Sequence, residues 1–552
     1  MMFRLGWLVV VLLMVQDVAA VPQWAFRISF TDKTGSPAVT NPSAFLSPRA
    51  IARRTQQGIA VTDADRPVPG SYTDSVLRAT AGKMHSTSRW FNNCVVLLDD
   101  SSRIGLLQNT SFISRIEWVG YFSGGLHFEA PVIRQEAKPA TTANKGTGTA
   151  AYYGSAWNQT TMVNGDYLHD NGLRGSGQLI AVLDLGFSGS DTHHGFDSLR
   201  ARNGIIDQFN FVNANTNVYS RSTHGTASFS TMAGLIPNTY VGAAPLADYA
   251  LYIVDDVDYT DALYELDNVI SAMERADSIG ADIITGSIGY NEFTNPYYFI
   301  YPKADLNGHT TTVAIAANMA VARGIFVAMS AGNEGGNSWN FLLTPGDADS
   351  VLTVGSVNMA RTVSGFSSPG PNSSGRVKPD VCMLGEPASV FTSNNAITSS
   401  SGTSGATPQL SGWAACLRGY RPGVTPYELR SVINKSADRY NAPLAKYGYG
   451  IPDFKKALGY LDVAHVPQGA GLTVSPNPFT KSITLQLNLK STATIFCKVI
   501  DISGRTVAVK DFGTQTGAQQ LTIEVPGNLA AGTYLLQTTI GTETYTNKVT
   551  RQ

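Results

Sequence analysis

The chain has 552 residues, more than one hydrophobic core usually spans, so two to four domains are expected. An apolar fraction of 43% with 15% charged residues excludes a disordered chain. A net charge of −1 with no basic block gives nucleic acid nothing to bind.

Residues 1–20 read as a secretory signal. Arg4 supplies the positive start, Leu5 to Val15 is the apolar run, and Val18-Ala19-Ala20 offers small residues for cleavage. A membrane anchor is the weaker alternative, because the run falls short of the roughly 20 residues a spanning helix needs. No other stretch could cross a membrane, so the mature form is expected to lack a transmembrane segment. Residues 21–134 form a first unit. WAFRISF alternates, with Trp24, Phe26, Ile28 and Phe30 on one face, which predicts a half-buried strand. In SPRAIARRTQQG, Ser47 is the N-cap and Pro48 the first residue of a helix ending near Gly58. SYTDSVLRATAG predicts a second helix, and RWFNNCVVLLDD and RIEWVGYF predict strands, giving a small α+β domain. Residues 135–150 are polar and almost without large apolar groups, which makes them a linker and a candidate site of proteolysis.

From 151 to 462 the texture changes. QLIAVLDLGF and VLTVGSV are apolar runs of the kind that parallel strands buried on both faces show. DNVISAMERADSIGADIITGSIGY and AIAANMAVARGIFVAMSAGN each read as helix then strand. This alternation predicts a doubly wound, mostly parallel α/β sheet, whose ligands sit beyond the carboxyl ends of the strands. Residues 463–471 are a second linker. Residues 472–552 carry four short strand patterns, SITLQLNL, TIFCKVIDISG, QQLTIEVP and GTYLLQTTI, and predict a β-sandwich. Cys94, Cys382, Cys416 and Cys497 lie far apart in apolar stretches and are expected to be buried thiols, with a Cys382–Cys416 disulfide as the alternative.

One serine stands out in SSSGTSGATPQLSG. Pro408 is tolerated only near a helix start, so the helix that follows should begin close to Ser404. Its hydroxyl would then lie among free N–H groups at the positive end of a helix dipole. Ser399, Ser400 and Ser401 lack this placement and read as loop residues. A serine needs a base. His224, in STHGTASFSTMAG, precedes a helix pattern among small residues, whereas His193 and His194 lie in a polar loop and read as solvated, with a metal-binding pair as the remote alternative. Asp184 closes the most apolar strand, where an unpaired carboxylate would be costly. Asn333, in SAGNEGG, ends another buried strand and could donate its amide to an oxyanion.

AVLDLGF, STHGTA, SAGNEG and GTSGATP, in that order, resemble the subtilisin-like serine peptidases, or subtilases. The resemblance extends to GAAPLADYALYIV, ADIITGSIG and GRVKPDV, and so covers essentially all of 151–462. It implies that Ser404 is the nucleophile, His224 its base, Asp184 the group that orients His224, and Asn333 with the Ser404 N–H the oxyanion site. It implies peptide-binding backbone at Ser287, Ile288 and Gly289, with Ser330, Ala331, Gly332 and Glu334 beside the substrate. Leu185, Ala227 and Gly405 depart from the residues usual in the family. The first unit resembles a subtilase propeptide, an inhibitor released by cleavage within 135–150. LTVSPNPF, DISGRTV and the segment from Ala530 look like the C-terminal sorting domain of type IX secretion; an ordinary accessory sandwich is the alternative. The expected protein is therefore a secreted or surface serine endopeptidase made as a zymogen, acting on proteins or peptides and using the type IX machinery.

The rival is a catalytically dead subtilase fold that binds at the surface. An esterase fits less well, since Ala406 stands where the Gly-x-Ser-x-Gly elbow has its second glycine. Glu334 would disfavour acidic side chains in the specificity pocket. No cofactor is required. Structural calcium is implied by the family only, and Asp305-Leu306-Asn307-Gly308 reads as a turn.

Overall fold

A computed structural model describes residues 22–122, 149–256, 261–463, 472–501, 505–541 and 543–552. The expected signal segment and most of both linkers lie outside these residues.

In the N-terminal region, β1 (Gln23–Phe30), α1 (Pro48–Gln56), α2 (Gly70–Thr80), β2 (Lys83–Ser88), β3 (Asn93–Leu98) and β4 (Ile113–Phe122) form a four-stranded antiparallel sheet with its helices. The strand order is β2-β3-β1-β4. Ser47 caps α1 by accepting the Ala50 N–H at 3.1 Å, with Pro48 leading the helix. Trp24, Phe26, Ile28 and Phe30 share one face and pack with Val76 of α2 and with Val96 and Leu98 of β3. β3 is buried on both faces, so the sheet is covered twice. Ala25, Val95, Leu97, Val119 and Phe122 pack on Ala262 and Tyr264, at the start of a helix of the next region.

That region holds a seven-stranded parallel sheet. Its strands are β5 (Leu179–Asp184), β6 (Ile205–Asn210), β7 (Asp248–Ile253), β8 (Ile283–Gly286), β9 (Phe326–Ser330), β10 (Leu352–Asn358) and β11 (Val381–Glu386). They run in the order β11-β10-β9-β8-β5-β7-β6, with the central strands fully buried. The helices that matter most are α3 (His224–Ala233), α4 (Leu263–Ile279), α5 (Thr312–Ala322) and α6 (Thr403–Tyr420). The hairpin β12 (Ala388–Phe391) and β13 (Ile397–Ser400) leads into α6. Ser399 and Ser400 are therefore exposed strand residues rather than loop residues, paired with Ser389 and Ala388.

The face of α4 turned to the N-terminal sheet is polar yet buried. Arg27 makes two hydrogen bonds to the Asp267 carboxylate, at 2.7 and 2.6 Å. Glu274 accepts from Ser88 Oγ and from the Arg89 and Trp90 N–H groups. Asp277, with no solvent exposure, takes the guanidinium groups of Arg53, Arg54 and Arg89. Arg54 also binds Asp65, which in turn binds Arg323.

Residues 455–552 make a separate compact unit. It has β14 (Thr473–Ser475), β15 (Ser482–Asp501), β16 (Thr506–Glu524), β17 (Gly532–Ile540) and β18 (Glu543–Arg551), all antiparallel. The patterns SITLQLNL and TIFCKVID, expected as two strands, are one continuous strand. A register shift between Leu489 and Ala493 absorbs the polar residues between them without breaking the ladder to β16. All four cysteines are buried free thiols, and no disulfide joins Cys382 to Cys416.

Asp277→Ala in the unprocessed chain strands three buried or nearly buried guanidinium groups. It is expected to lower the unfolding free energy by about 3–5 kcal/mol, read from urea denaturation followed by tryptophan fluorescence. An unchanged midpoint would show that the network does not hold the two regions together.

Candidate active site

The parallel sheet presents the carboxyl ends of β5, β8 and β9 side by side, and the site residues follow from those ends. Asp184 is the last residue of β5 and has no solvent exposure. Its Oδ1 accepts the Leu185 N–H at 2.8 Å and lies 2.6 Å from His224 Nδ1. Its Oδ2 has no partner among the described residues. Leu185, which lacks the hydroxyl usual there in subtilases, offers that oxygen no donor.

His224 opens α3. Two glycines let it approach the end of β5. Gly186 has φ of +154°, and the Gly225 N–H donates to its carbonyl at 2.9 Å. A Cβ on Gly225 would stand 2.4 Å from that oxygen, so only glycine permits the approach. The imidazole is about a third exposed, so its second nitrogen can be reached from solvent. The Asp184 carboxylate raises the His224 pKa above its ordinary 6.5, against the opposing effect of burial.

Ser404 is the second residue of α6, next to the Gly402 cap. A side chain at Gly402 would place its Cβ 2.8 Å from Ser404 Oγ, so glycine keeps the hydroxyl uncovered. The helix begins beside Ser404 as expected, at Thr403, which makes Pro408 its sixth residue. Such a proline normally orphans the carbonyl four residues back, here that of Ser404. Two hydroxyls replace the missing N–H: Ser287 donates to the Ser404 carbonyl at 3.1 Å and Ser228 at 3.4 Å. The proline is tolerated because these serines, one beyond β8 and one a turn along α3, tie Ser404 to both neighbours. The Ser404 hydroxyl makes no hydrogen bond among the described residues; such bonds often tighten only when substrate binds.

Asn333 is exposed, three residues past β9. Its Oδ1 accepts both the N–H and the hydroxyl of Thr403 at 3.0 Å. A backbone N–H can only donate, so Oδ1 must face Thr403 and the Asn333 amide N–H groups point elsewhere, with no partner among the described residues. The neighbouring backbone is held tightly. Ser330 Oγ, buried, donates to the Ile288 carbonyl at 2.9 Å, so that hydroxyl positions Ile288. Gly332, at φ +101°, and Gly289 both leave room for Leu343. Ala331 is buried between the Val354 and Leu343 backbones. Glu334 is half-buried, and its carboxylate is bonded to the Asn337 amide.

His193, expected to be solvated, is buried. Its ring stacks on Phe391 at 4.1 Å and its Nδ1 accepts the Gly195 N–H at 3.0 Å. His194 bonds Asn395 instead, so the pair does not converge on a metal.

A feature that the sequence reading passed over adjoins the dyad. Asp255, Asp261 and Glu265 bring one carboxylate oxygen each to within 4.8 Å of one another, a group that could hold a metal ion. Burial and the carboxylates of Asp261, Asp184 and Asp256 push the Asp255 pKa up to about 7. Acids spaced through Asp255-Asp256 and Asp261 to Glu265 were the available signal.

A parallel sheet with an aspartate-held histidine and a helix-mouth serine at its carboxyl edge defines a subtilisin-like hydrolase. The chain belongs to the subtilase family, whose pattern matches residues 175–450, and it is a subtilisin-like serine endopeptidase. Residues 25–130 match the peptidase S8 propeptide domain of Bacteroidota, and residues 473–552 a secretion-system C-terminal sorting domain. Subtilisin from Bacillus pumilus is 30% identical over 302 residues, 54% of this chain and 96% of that protein. Subtilisin E from Bacillus subtilis (strain 168) is 30% identical over 302 residues, 54% of this chain and 70% of that protein. The epidermin leader peptide processing serine protease of Staphylococcus aureus shares the fold, with a TM-score of 0.53 at 16% identity, covering 80% of this chain and 99% of that one.

The raised His224 pKa has a definite sign. The Asp184–His224 ion pair adds stability below pH 6.5, and that stability is lost as pH rises through the folded-state value. In Ser404→Ala protein, the His224 ring protons should titrate above 6.5 by NMR, and Asp184→Asn should bring the midpoint down. A midpoint unmoved by Asp184→Asn would mean that another group sets it.

Proposed function

We propose that this endopeptidase cleaves its substrates through an acyl-enzyme formed on Ser404. His224 Nε2 takes the hydroxyl proton as Ser404 Oγ bonds to the scissile carbonyl carbon. The same nitrogen then delivers that proton to the leaving amine as the C–N bond breaks. Water, deprotonated by His224, releases the acyl group and restores the serine. Asp184 holds Nδ1–H and steadies the imidazolium formed in each step. The Asn333 amide and the Ser404 N–H donate to the oxyanion. The single observation that carries this reading is the junction at the mouth of α6, where Thr403 turns the Asn333 amide outward beside a serine whose backbone is clasped from β8 and α3.

Substrate would pair as an added strand with Ser287, Ile288 and Gly289, while Ala331, Gly332 and Glu334 border the specificity pocket. Glu334 would select against acidic side chains there. The propeptide-like region supports a zymogen. Its final described strand, β4, is held by Asn295, which exchanges two 2.8 Å hydrogen bonds with the Tyr121 backbone a few residues beyond Gly289. The 21–134 region would block the cleft until cleavage within 135–150. Export through the signal at 1–20 and sorting by the 472–552 domain would place the enzyme outside the cell or at its surface. No helix among the described residues is long and apolar enough to cross a membrane.

A fluorophosphonate should label Ser404 in the mature enzyme, and Ser404→Ala should abolish both labelling and peptide cleavage. Asn333→Ala should lower kcat by about 10²–10³ with little change in KM, the size of effect measured for the equivalent donor in subtilisin. Peptidase activity that survives Ser404→Ala would remove the assignment, whereas a mature parent with no peptidase activity and no labelling would favour the catalytically dead, surface-binding reading.

A further inference from the structure

Ser287 stands where two proposed parts of the site meet, the substrate edge and the nucleophile. It lies one residue past β8, where the pairing to β5 is stretched: its N–H reaches the Leu183 carbonyl at 3.4 Å. Its neighbour Ile288 is fixed, with a buried side chain and a carbonyl that accepts from Ser330 Oγ. Among the described residues, no hydrogen bond involves the Ser287 carbonyl or the Gly289 N–H and carbonyl. These are the groups that an added peptide strand would use.

The Ser287 hydroxyl, meanwhile, donates to the Ser404 carbonyl at 3.1 Å. The carbonyls on either side of it are held by side chains of α6 itself. That of Thr403 accepts from Thr407 Oγ1 at 2.9 Å, and that of Gly405 from Gln409 Nε2 at 2.7 Å. Pro408 has no N–H for the Ser404 carbonyl, and the side-chain donors it receives come from other elements. Ser228, on the helix that opens with His224, supplies the second and longer bond, at 3.4 Å. The substrate edge, the helix of the base and the nucleophile therefore meet on one oxygen. That carbonyl is attached to the Ser404 Cα, which also bears the side chain proposed to attack and the N–H proposed to hold the oxyanion. Whatever steadies the carbonyl steadies both.

We propose that Ser287 is a positioning residue that couples substrate binding to the nucleophile. A peptide paired with the edge at 287–289 steadies Ser287, and the Ser287 hydroxyl carries that constraint through the Ser404 carbonyl to Oγ and to the oxyanion N–H. The coupling rests on the acyl-enzyme reading above. Binding energy from substrate residues remote from the scissile bond then appears in kcat rather than in KM. A misplacement of about 1 Å can cost about 10²-fold in rate, so a constraint of this kind has room to act.

The test compares two p-nitroanilides with the same residue before the scissile bond, one a tetrapeptide and the other a single acylated residue. Only the longer one can span the 287–289 edge. In the active enzyme, Ser287→Ala should lower kcat for the tetrapeptide at least about tenfold, with KM within about twofold. For the single residue it should change kcat by less than about twofold. Ser287→Thr, which keeps the hydroxyl, should retain most of the tetrapeptide kcat. Pro408→Ala gives the Ser404 carbonyl a backbone N–H from its own helix. In that background Ser287→Ala should cost less than about twofold on either substrate. Equal losses on the two substrates, a loss carried by KM alone, or an undiminished loss in the Pro408→Ala background would each overturn the coupling, while fluorophosphonate uptake by Ser404 left the acyl-enzyme reading in place. A parent enzyme that neither cleaves nor is labelled would overturn that reading and the coupling with it.

Discussion

The buried carboxylate of Asp184 is the constraint around which the catalytic region is arranged. It lies at the end of a strand with no access to water, so it must find donors. One is the N–H of the next residue and the other is His224, which fixes which imidazole nitrogen remains for chemistry. Meeting that requirement brings α3 hard against the end of β5, and only Gly186 and Gly225 allow so close an approach. Ser228, one turn further along α3, then reaches the Ser404 carbonyl that Pro408 has left without its helical partner. The backbone around the proposed nucleophile is thus held by the element that carries the proposed base.

Helix α4 serves two partners. Its inner face packs on the parallel sheet through Val269, Ile270, Met273 and Ala276. Its outer face offers Asp267, Glu274 and Asp277 to arginines and N–H groups of the N-terminal region. These polar groups can be hydrated again on separation, unlike the apolar patch around Ala262 and Tyr264 beside them, which suits a region proposed to be removed. The start of the same helix supplies Glu265 to the acidic cluster, so one element links the N-terminal region, the sheet and the surroundings of His224.

Much of this was legible because local patterns carried it. Ser47-Pro48 marked a helix start that the structure shows, and the apolar runs 178–187 and 351–357 are central strands. The subtilase motifs named residues that the fold gathers at one edge of the sheet. The misreadings share a cause, since each depended on a partner far away in the chain. His193 is buried because Phe391 covers it. Ser399 and Ser400 are strand residues because Ala388 and Ser389 pair with them. Pro408, by contrast, marked the helix start correctly, and the fold adds only that Ser287 and Ser228 supply the donors it lacks.

The sequence alone determined the kind of elements, the three-part order of the chain and its family, and it named the residues proposed to bear chemistry. Periodicity, capping residues and motif order are local properties and need no coordinates. Only the tertiary structure decided which face of α4 meets the N-terminal region, which way the Asn333 amide points, and that Asp255, Asp261 and Glu265 converge. Those facts depend on contacts between residues far apart in the chain, where direction and distance, rather than residue type, set the energy.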